Sequence, residues 1–181
     1  MVIVFPDNTA LINFAVIGRM DLLERLVGRN GSWCRTVSEE CDDWSRKPNL
    51  ADMRRAHDIF GEPLTPENPR EHATVLRYRD MLRTPGQPRT QNLGEAETLA
   101  IIECRNIRAL FVTDDQSVGR VAPPGSPKVV GTWELLRASH RRECVTADEL
   151  WDYSRRLHEA ERHTPPTGPF DRGAFNSWLR G

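Results

Sequence analysis

Ile3-Val4-Phe5-Pro6-Asp7-Asn8-Thr9-Ala10-Leu11-Ile12 is the stretch that decides the fold of this chain. Residues 2–5 form a short β-branched and aromatic run without polar alternation, the pattern of a central parallel strand covered on both faces. Pro6 ends that run, and Asp7 stands at its exit. From Thr9 onward, Leu11, Ile12, Phe14, Ala15 and Ile17 imply a helix, with Gly18 near its stop. A strand passing to a helix through an acidic residue recurs along the chain. Glu40 follows the run 33–37, Glu95 and Glu97 open the helix that begins Leu93-Gly94-Glu95-Ala96-Glu97, and Asp114-Asp115 end the run 109–113. In an open parallel α/β sheet all such junctions lie along the carboxyl ends of the strands, where ligands bind.

The rest of the chain supports this reading. Leu22, Leu23, Leu26 and Val27 predict a second short helix ended by Gly28 and Gly31. Residues 35–37 predict a second strand, with Ser38 as N-cap of a helix that carries Glu39, Glu40 and Trp44. Further helices are expected at 94–106, 116–122 and 132–139, and strands at 109–113 and 128–130. Thr146-Ala147-Asp148-Glu149 fits a capping box, and the helix it starts extends to about residue 162 with Leu150, Trp151, Tyr153 and Leu157 inward. The strand-helix alternation predicts a three-layer α/β/α fold with a central parallel sheet of about 4–5 strands. Residues 1–140 read as one domain, and 141–181 as a C-terminal helix with a loose tail whose Phe170, Phe175, Trp178 and Leu179 are available for docking. The stretch 45–92 differs: Pro48, Pro63, Pro66, Pro69, Pro85 and Pro88 punctuate two helices near 50–60 and 68–83. Rich in arginine, it reads as an inserted helical flap.

Composition limits the function. With 181 residues and 38% hydrophobic content, a single domain is expected. No apolar run approaches the roughly 18 residues of a membrane span, and the first thirty residues lack a signal-peptide pattern. Cys34, Cys41, Cys104 and Cys144 show no metal-binding spacing and read as free thiols of a cytoplasmic protein. The five histidines, His57, His72, His140, His158 and His163, show no ligand spacing either. Net charge is −1, so nothing global draws the chain to nucleic acid. Of 25 basic residues only Lys47 and Lys128 are lysines. Guanidinium forks suit bidentate phosphate contacts, although a GC-rich genome explains the same bias.

Each acid has a plain structural explanation: Glu39, Glu40, Glu95 and Glu97 suit first helical turns, and Asp7, Asp114 and Asp115 suit caps or turns. Their joint placement asks for more. Two unit charges ~4 Å apart repel by about 4 kcal/mol at an effective dielectric of ~20. A gathering of Asp7, Glu40, Glu95, Glu97, Asp114 and Asp115 would therefore stay partly protonated or hold cations. Mg²⁺ or Mn²⁺, hard ions that prefer oxygen, fit such a set.

These segments resemble the motifs of PIN-domain ribonucleases, including the toxin-like members. Residues 3–12 resemble the first motif, Val37-Ser38-Glu39-Glu40 the second, Leu93-Gly94-Glu95-Ala96-Glu97 the third, and Val112-Thr113-Asp114-Asp115 with Arg120-Val121-Ala122 and Val129-Val130-Gly131-Thr132 the fourth. The match covers about 1–44 and 93–140; the 45–92 insert and the tail have no counterpart. The resemblance implies Mg²⁺- or Mn²⁺-dependent hydrolysis of RNA phosphodiesters, often by the toxin of a toxin–antitoxin pair, with a homodimer and a small antitoxin as partners. Asp7, Glu40 and Asp115 would hold the ions, with Glu97 or Glu95 completing the set; Asp115 matches the family better than Asp114. Asn8, Thr9 and Thr113 would orient the carboxylates beside the substrate, and Arg120 would contact a phosphate. Arg54, Arg55, Arg77 and Arg83 in the insert are further phosphate candidates. Two rivals remain at this stage. A phosphohydrolase of the haloacid-dehalogenase type also starts with a strand ending in Asp, but Thr9 stands where its second Asp belongs and no lysine is well placed before Asp114. The other is a PIN-like module that binds RNA or protein without cutting.

Overall fold

Pro6 at the end of the first strand lies beside Val112, and the backbone N–H of Asp7 donates to the Val112 carbonyl at 2.8 Å. That pairing sets the architecture. A computed structural model describes residues 1–83, 91–162 and 171–181. Among them three parallel strands, β1 (Ile3–Pro6), β2 (Ala109–Val112) and β3 (Lys128–Val130), form one sheet in the order β1-β2-β3. Val4 also bridges Gly31 on the free side of β1, and Cys34 bridges Leu64. Around the sheet lie α1 (Asn8–Val16), α2 (Met20–Val27), α3 (Arg35–Ser45), a 3₁₀ turn (Ala51–Arg55), α4 (Ala56–Phe60), α5 (Pro69–Leu82) and α6 (Leu93–Cys104). They are followed by α7 (Gln116–Val121), α8 (Thr132–Arg141), α9 (Ala147–Glu159) and α10 (Arg172–Arg180). The protein is therefore α/β with a small parallel sheet.

The expected second strand at 35–37 is a helix instead. Val37, Ser38, Cys41 and Ser45 are the buried residues of α3, a helical repeat that outweighs the β preference of Thr36 and Val37. Only Cys34 keeps a strand-like partner, so the sheet has three strands among the described residues where four to five were expected. Ser38 consequently lies inside the helix, and Cys34 takes the N-cap position.

Two hydrophobic cores flank β1. Val4 packs with one, which unites α1–α4 with Trp133, Leu136, Leu150, Leu157 and Phe175. Ile3 and Phe5 belong to the other, with Val75, Tyr78 and Leu82 of α5, Leu99 of α6 and Val118 of α7. This alternation follows from the period-2 side-chain geometry of a strand. The stretch 45–92 contributes to both: Met53, Ala56, Ile59 and Phe60 enter the first core and α5 the second. Buried Glu71 of α5 pairs with Arg105 at 2.9 Å, and that guanidinium also donates to the Thr65 carbonyl at 2.6 Å. The guanidinium holds the Glu71 carboxyl down to about 2. Pro85, Pro88 and Arg89, with His163, Pro165, Pro166 and Phe170, lie outside the described residues.

Aromatic residues anchor α10. Phe175 is buried and lies 5.1 Å from Trp151 with the rings tilted, while Trp178 meets Trp133 edge-on at 5.6 Å. α9 begins with the expected capping box, Thr146 N–H donating to Glu149 at 2.7 Å. The four cysteines carry no disulfide. Among the described residues no helix is long and apolar enough to cross a membrane.

Candidate active site

Asp7 caps α1, and its carboxylate is nearly enclosed. It accepts from Asn8 N–H at 2.7 Å, from the Thr9 hydroxyl at 2.5 Å and from the Thr113 hydroxyl at 3.2 Å. Asp7 is only 3% exposed. Burial raises its pKa above the ordinary carboxylate range, and those hydrogen bonds only partly offset the loss of water. The neighbouring Asn8 Oδ1 is buried without a donor among the described residues.

Thr113 joins two of the acids. Its hydroxyl donates to Asp7 and accepts from the Asp115 N–H at 3.1 Å. Asp115 in turn caps α7, its carboxylate accepting from Ser117 N–H at 2.7 Å and Ser117 Oγ at 2.8 Å.

Glu95 is in the first turn of α6, and Glu40 projects from α3 close by. The approach of the two helices depends on Gly94. A Cβ there would lie 2.9 Å from Val37 Cγ2 and 3.9 Å from Glu40 Oε1, so even an alanine would have to displace the Val37 side chain. Burial first, then the negative charges of Asp7 and Glu97, push Glu40 up to about 7. Glu95 is pushed up to about 8, by burial first and then by the charges of Asp7, Glu40 and Asp115. Among the described residues none of Asp7, Glu40 and Glu95 makes an ion pair with an arginine or lysine. The fold thus brings Asp7, Glu40, Glu95 and Asp115 into one electrostatic neighbourhood from four separate segments.

Glu97 and Asp114 have structural partners. The Glu97 carboxylate accepts from the Thr36 hydroxyl and lies against the N–H groups that open α3, where a negative charge is favoured. Its other oxygen, Oε1, is buried without a donor among the described residues. Asp114 accepts from Thr132 N–H at 2.7 Å, Thr132 Oγ1 at 2.8 Å and Asn13 Nδ2 at 2.7 Å. It therefore ties the start of α8 to α1. Gly131 permits this, since a Cβ there would lie 3.0 Å from Asp114 Oδ1. Arg162 completes the network by donating from Nε to Asn13 Oδ1 at 2.8 Å.

As they stand, no three His, Cys, Asp or Glu side chains among the described residues are gathered tightly enough to hold a metal ion. Glu40 and Glu95 feel the charges of the neighbouring acids, yet the four do not share a coordination sphere. The donor set is all oxygen, with Asp7 buried and the other three half-buried and none in an ion pair among the described residues, which fits Mg²⁺ or Mn²⁺ rather than a softer metal.

Of the arginines singled out by sequence, Arg120 and Arg83 line, with Asn92, a polar crevice that also contains Asp115 and Ser117. Both arginines are exposed, and neither makes an ion pair among the described residues. Arg55 is paired with Glu24 at 2.9 Å and Arg77 with Glu103 at 2.7 Å, so these two have intramolecular partners. Arg54 is exposed and does not line this crevice.

Sequence reasoning passed over Asn13, Thr132, Thr36 and Arg162. Asn13 offered a signal, because a polar side chain in the middle of the apolar stretch 10–17 announces a buried partner. The others required knowledge of which helix ends meet. No protein-family model, curated protein or solved structure matches the chain.

Proposed function

We propose that this protein is a metal-dependent endoribonuclease of the PIN-like class, acting in the cytoplasm as the toxin of a toxin–antitoxin pair. The single observation that carries the nuclease reading is the shared neighbourhood of Asp7, Glu40, Glu95 and Asp115, one buried and three half-buried acids that make no ion pair among the described residues. Four such groups kept together without compensation cost stability, and a bound divalent cation removes that cost. The motif resemblance supplies the reaction, the homodimer, the small antitoxin and the three-layer PIN-like arrangement as parts of the same reading.

Asp7, Glu40, Glu95 and Asp115 would hold Mg²⁺ or Mn²⁺. Once bound, such an ion lowers the pKa of a water and offsets charge on the leaving oxygen. The residues of the chain do the positioning. Thr9 and Thr113 hold Asp7 in one orientation, and Ser117 holds Asp115. Arg83 and Arg120, beside Asp115, suit the phosphates flanking the scissile bond of a single strand. No side-chain general base is needed.

The test is cleavage of single-stranded RNA in Mg²⁺ or Mn²⁺ by the intact chain and by Asp7→Asn. The variant should fold, by circular dichroism, and lose at least about 100-fold in rate. Full activity in Asp7→Asn would remove the assignment. The separation of the carboxylates also favours a second reading, a module that binds RNA without cutting. Calorimetric titration with Mn²⁺ distinguishes the two, because only the nuclease reading requires saturable binding at the acids.

A further inference from the structure

A groove between α7 and α8 opens directly beside the acids. It holds about 450 Å³ and is lined by Thr113, Asp115, Val130, Trp133, Arg137 and Trp178, among others. That size is within the range of small-ligand pockets. Trp178 comes from α10, far from the motif segments in sequence, and the fold secures it there. Buried Phe175 lies 5.6 Å from the Trp178 ring, and Trp133 meets that ring edge-on at the same distance. The Arg137 guanidinium lies over the Trp178 ring, 5.5 Å from its centroid, and donates to the Trp178 carbonyl at 3.2 Å. The indole is only half-buried.

We propose that this groove takes a nucleobase of single-stranded RNA, next to the phosphodiester that the acids address. The proposal rests on the ribonuclease reading. The chemistry of the lining selects the base over the backbone. Asp114, Asp115 and Glu134 on the groove repel a phosphate. A half-exposed indole with a guanidinium on its ring offers a neutral aromatic ring a stacking surface. Arg137 and Gln116 add donors for base-edge acceptors. Because Thr113 and Asp115 belong to both the groove and the acid cluster, a base held here fixes which phosphate is presented. Trp178 and Arg137 would thus position the substrate without taking part in the chemistry.

The experiment uses the full chain carrying Asp7→Asn, a fluorescein-labelled single-stranded RNA of about ten nucleotides, and a matching series with one abasic nucleotide at each position. Anisotropy titration should show Trp178→Ala binding the intact RNA about ten-fold more weakly, with Trp178→Phe recovering most of the loss. One abasic position should cost the protein with Trp178 about ten-fold and cost Trp178→Ala nothing, a coupling that a purely structural role would not produce. Equal costs in both proteins, unchanged affinity in Trp178→Ala, or no RNA binding at all would overturn the proposal. Trp178→Leu keeps an apolar contact with Trp133 and carries the test if the alanine variant does not fold. Cleavage by the unsubstituted chain is read in parallel. Coupling without cleavage defeats the nuclease reading alone, and cleavage without coupling defeats the base groove alone.

Discussion

The Thr113 hydroxyl donates to the Asp7 carboxylate at 3.2 Å across a sequence separation of 106 residues. This bond joins the exits of two adjacent parallel strands. Since Thr113 also accepts from the Asp115 N–H, it fixes the spacing between the first and last acids of the cluster.

Glu95 and Glu97 should separate cleanly under substitution. Glu95 senses Asp7, Glu40 and Asp115, whereas Glu97 is held by Thr36 at the start of α3. Glu95→Gln is expected to lower RNA cleavage by about 100-fold or more, with the fold retained. Glu97→Gln is expected to keep cleavage within a few-fold and to lower stability by about 1 kcal/mol through the weakened contact at α3. Rate measurements beside thermal melts of both variants check this, and the reverse pattern would make Glu97 the acid of the site.

The metal-free protein should lose stability as pH rises. Glu40 and Glu95 have folded-state pKa values of about 7 and about 8, above the 4.5 of an exposed glutamate. The folded state therefore binds their protons more tightly than the unfolded state does. Stability from this source is fully present below about pH 4.5 and is lost as pH climbs through 7 to 8. Glu95→Gln removes one such group and should stabilise the metal-free chain at pH 8 by on the order of 1–2 kcal/mol, raising Tm by roughly 2–4 °C per kcal/mol. Saturating Mg²⁺ should flatten the slope of the unsubstituted chain between pH 6 and 8, as followed by denaturant titration.

Asp114 should prove to be a structural residue. Asp114→Ala removes the acceptor of the Thr132 N–H and hydroxyl and one of the two acceptors of Asn13 Nδ2, the other being Thr132 Oγ1, and with it the carboxylate that serves the start of α8. The expected cost is about 2–4 kcal/mol. Cleavage per folded molecule at low temperature should remain, in contrast to Asp115→Asn, which should abolish it. Loss of cleavage in a fully folded Asp114→Asn variant would place Asp114 among the ion-holding acids.

Arg83 and Arg120 should account for part of the salt dependence of RNA binding. Their joint replacement by alanine is expected to weaken affinity and to reduce the slope of log K against log[salt] by roughly 1–1.5. Arg55→Ala and Arg77→Ala, which disturb pairs with Glu24 and Glu103, should leave the slope unchanged.

Much of the fold was legible in the sequence because it depends on local periodicity. Residues 2–5, 109–113 and 128–130 read as strands and form them at 3–6, 109–112 and 128–130, and the helices from 8, 69, 93 and 147 began close to where their apolar repeats and caps placed them. Residues 35–37 misled, because Thr36 and Val37 favour a strand in isolation. Their helical state is set by the buried face shared with Cys41 and Ser45 and by Glu97, which reaches the start of α3 from α6.

For the site, the sequence by itself determined that acids stand at the ends of β-α units, since a strand, a stop and a helix are short-range features. The tertiary structure alone decided which of the paired acids feel one another: Glu95 lies in the field of Asp7, Glu40 and Asp115, while Asp114 turns to Asn13 and Thr132. Neighbouring carboxylates have the same local propensities. Their roles diverge only through which distant N–H, hydroxyl or charge the packed helices bring within reach, and burial then sets how strongly each partner is felt.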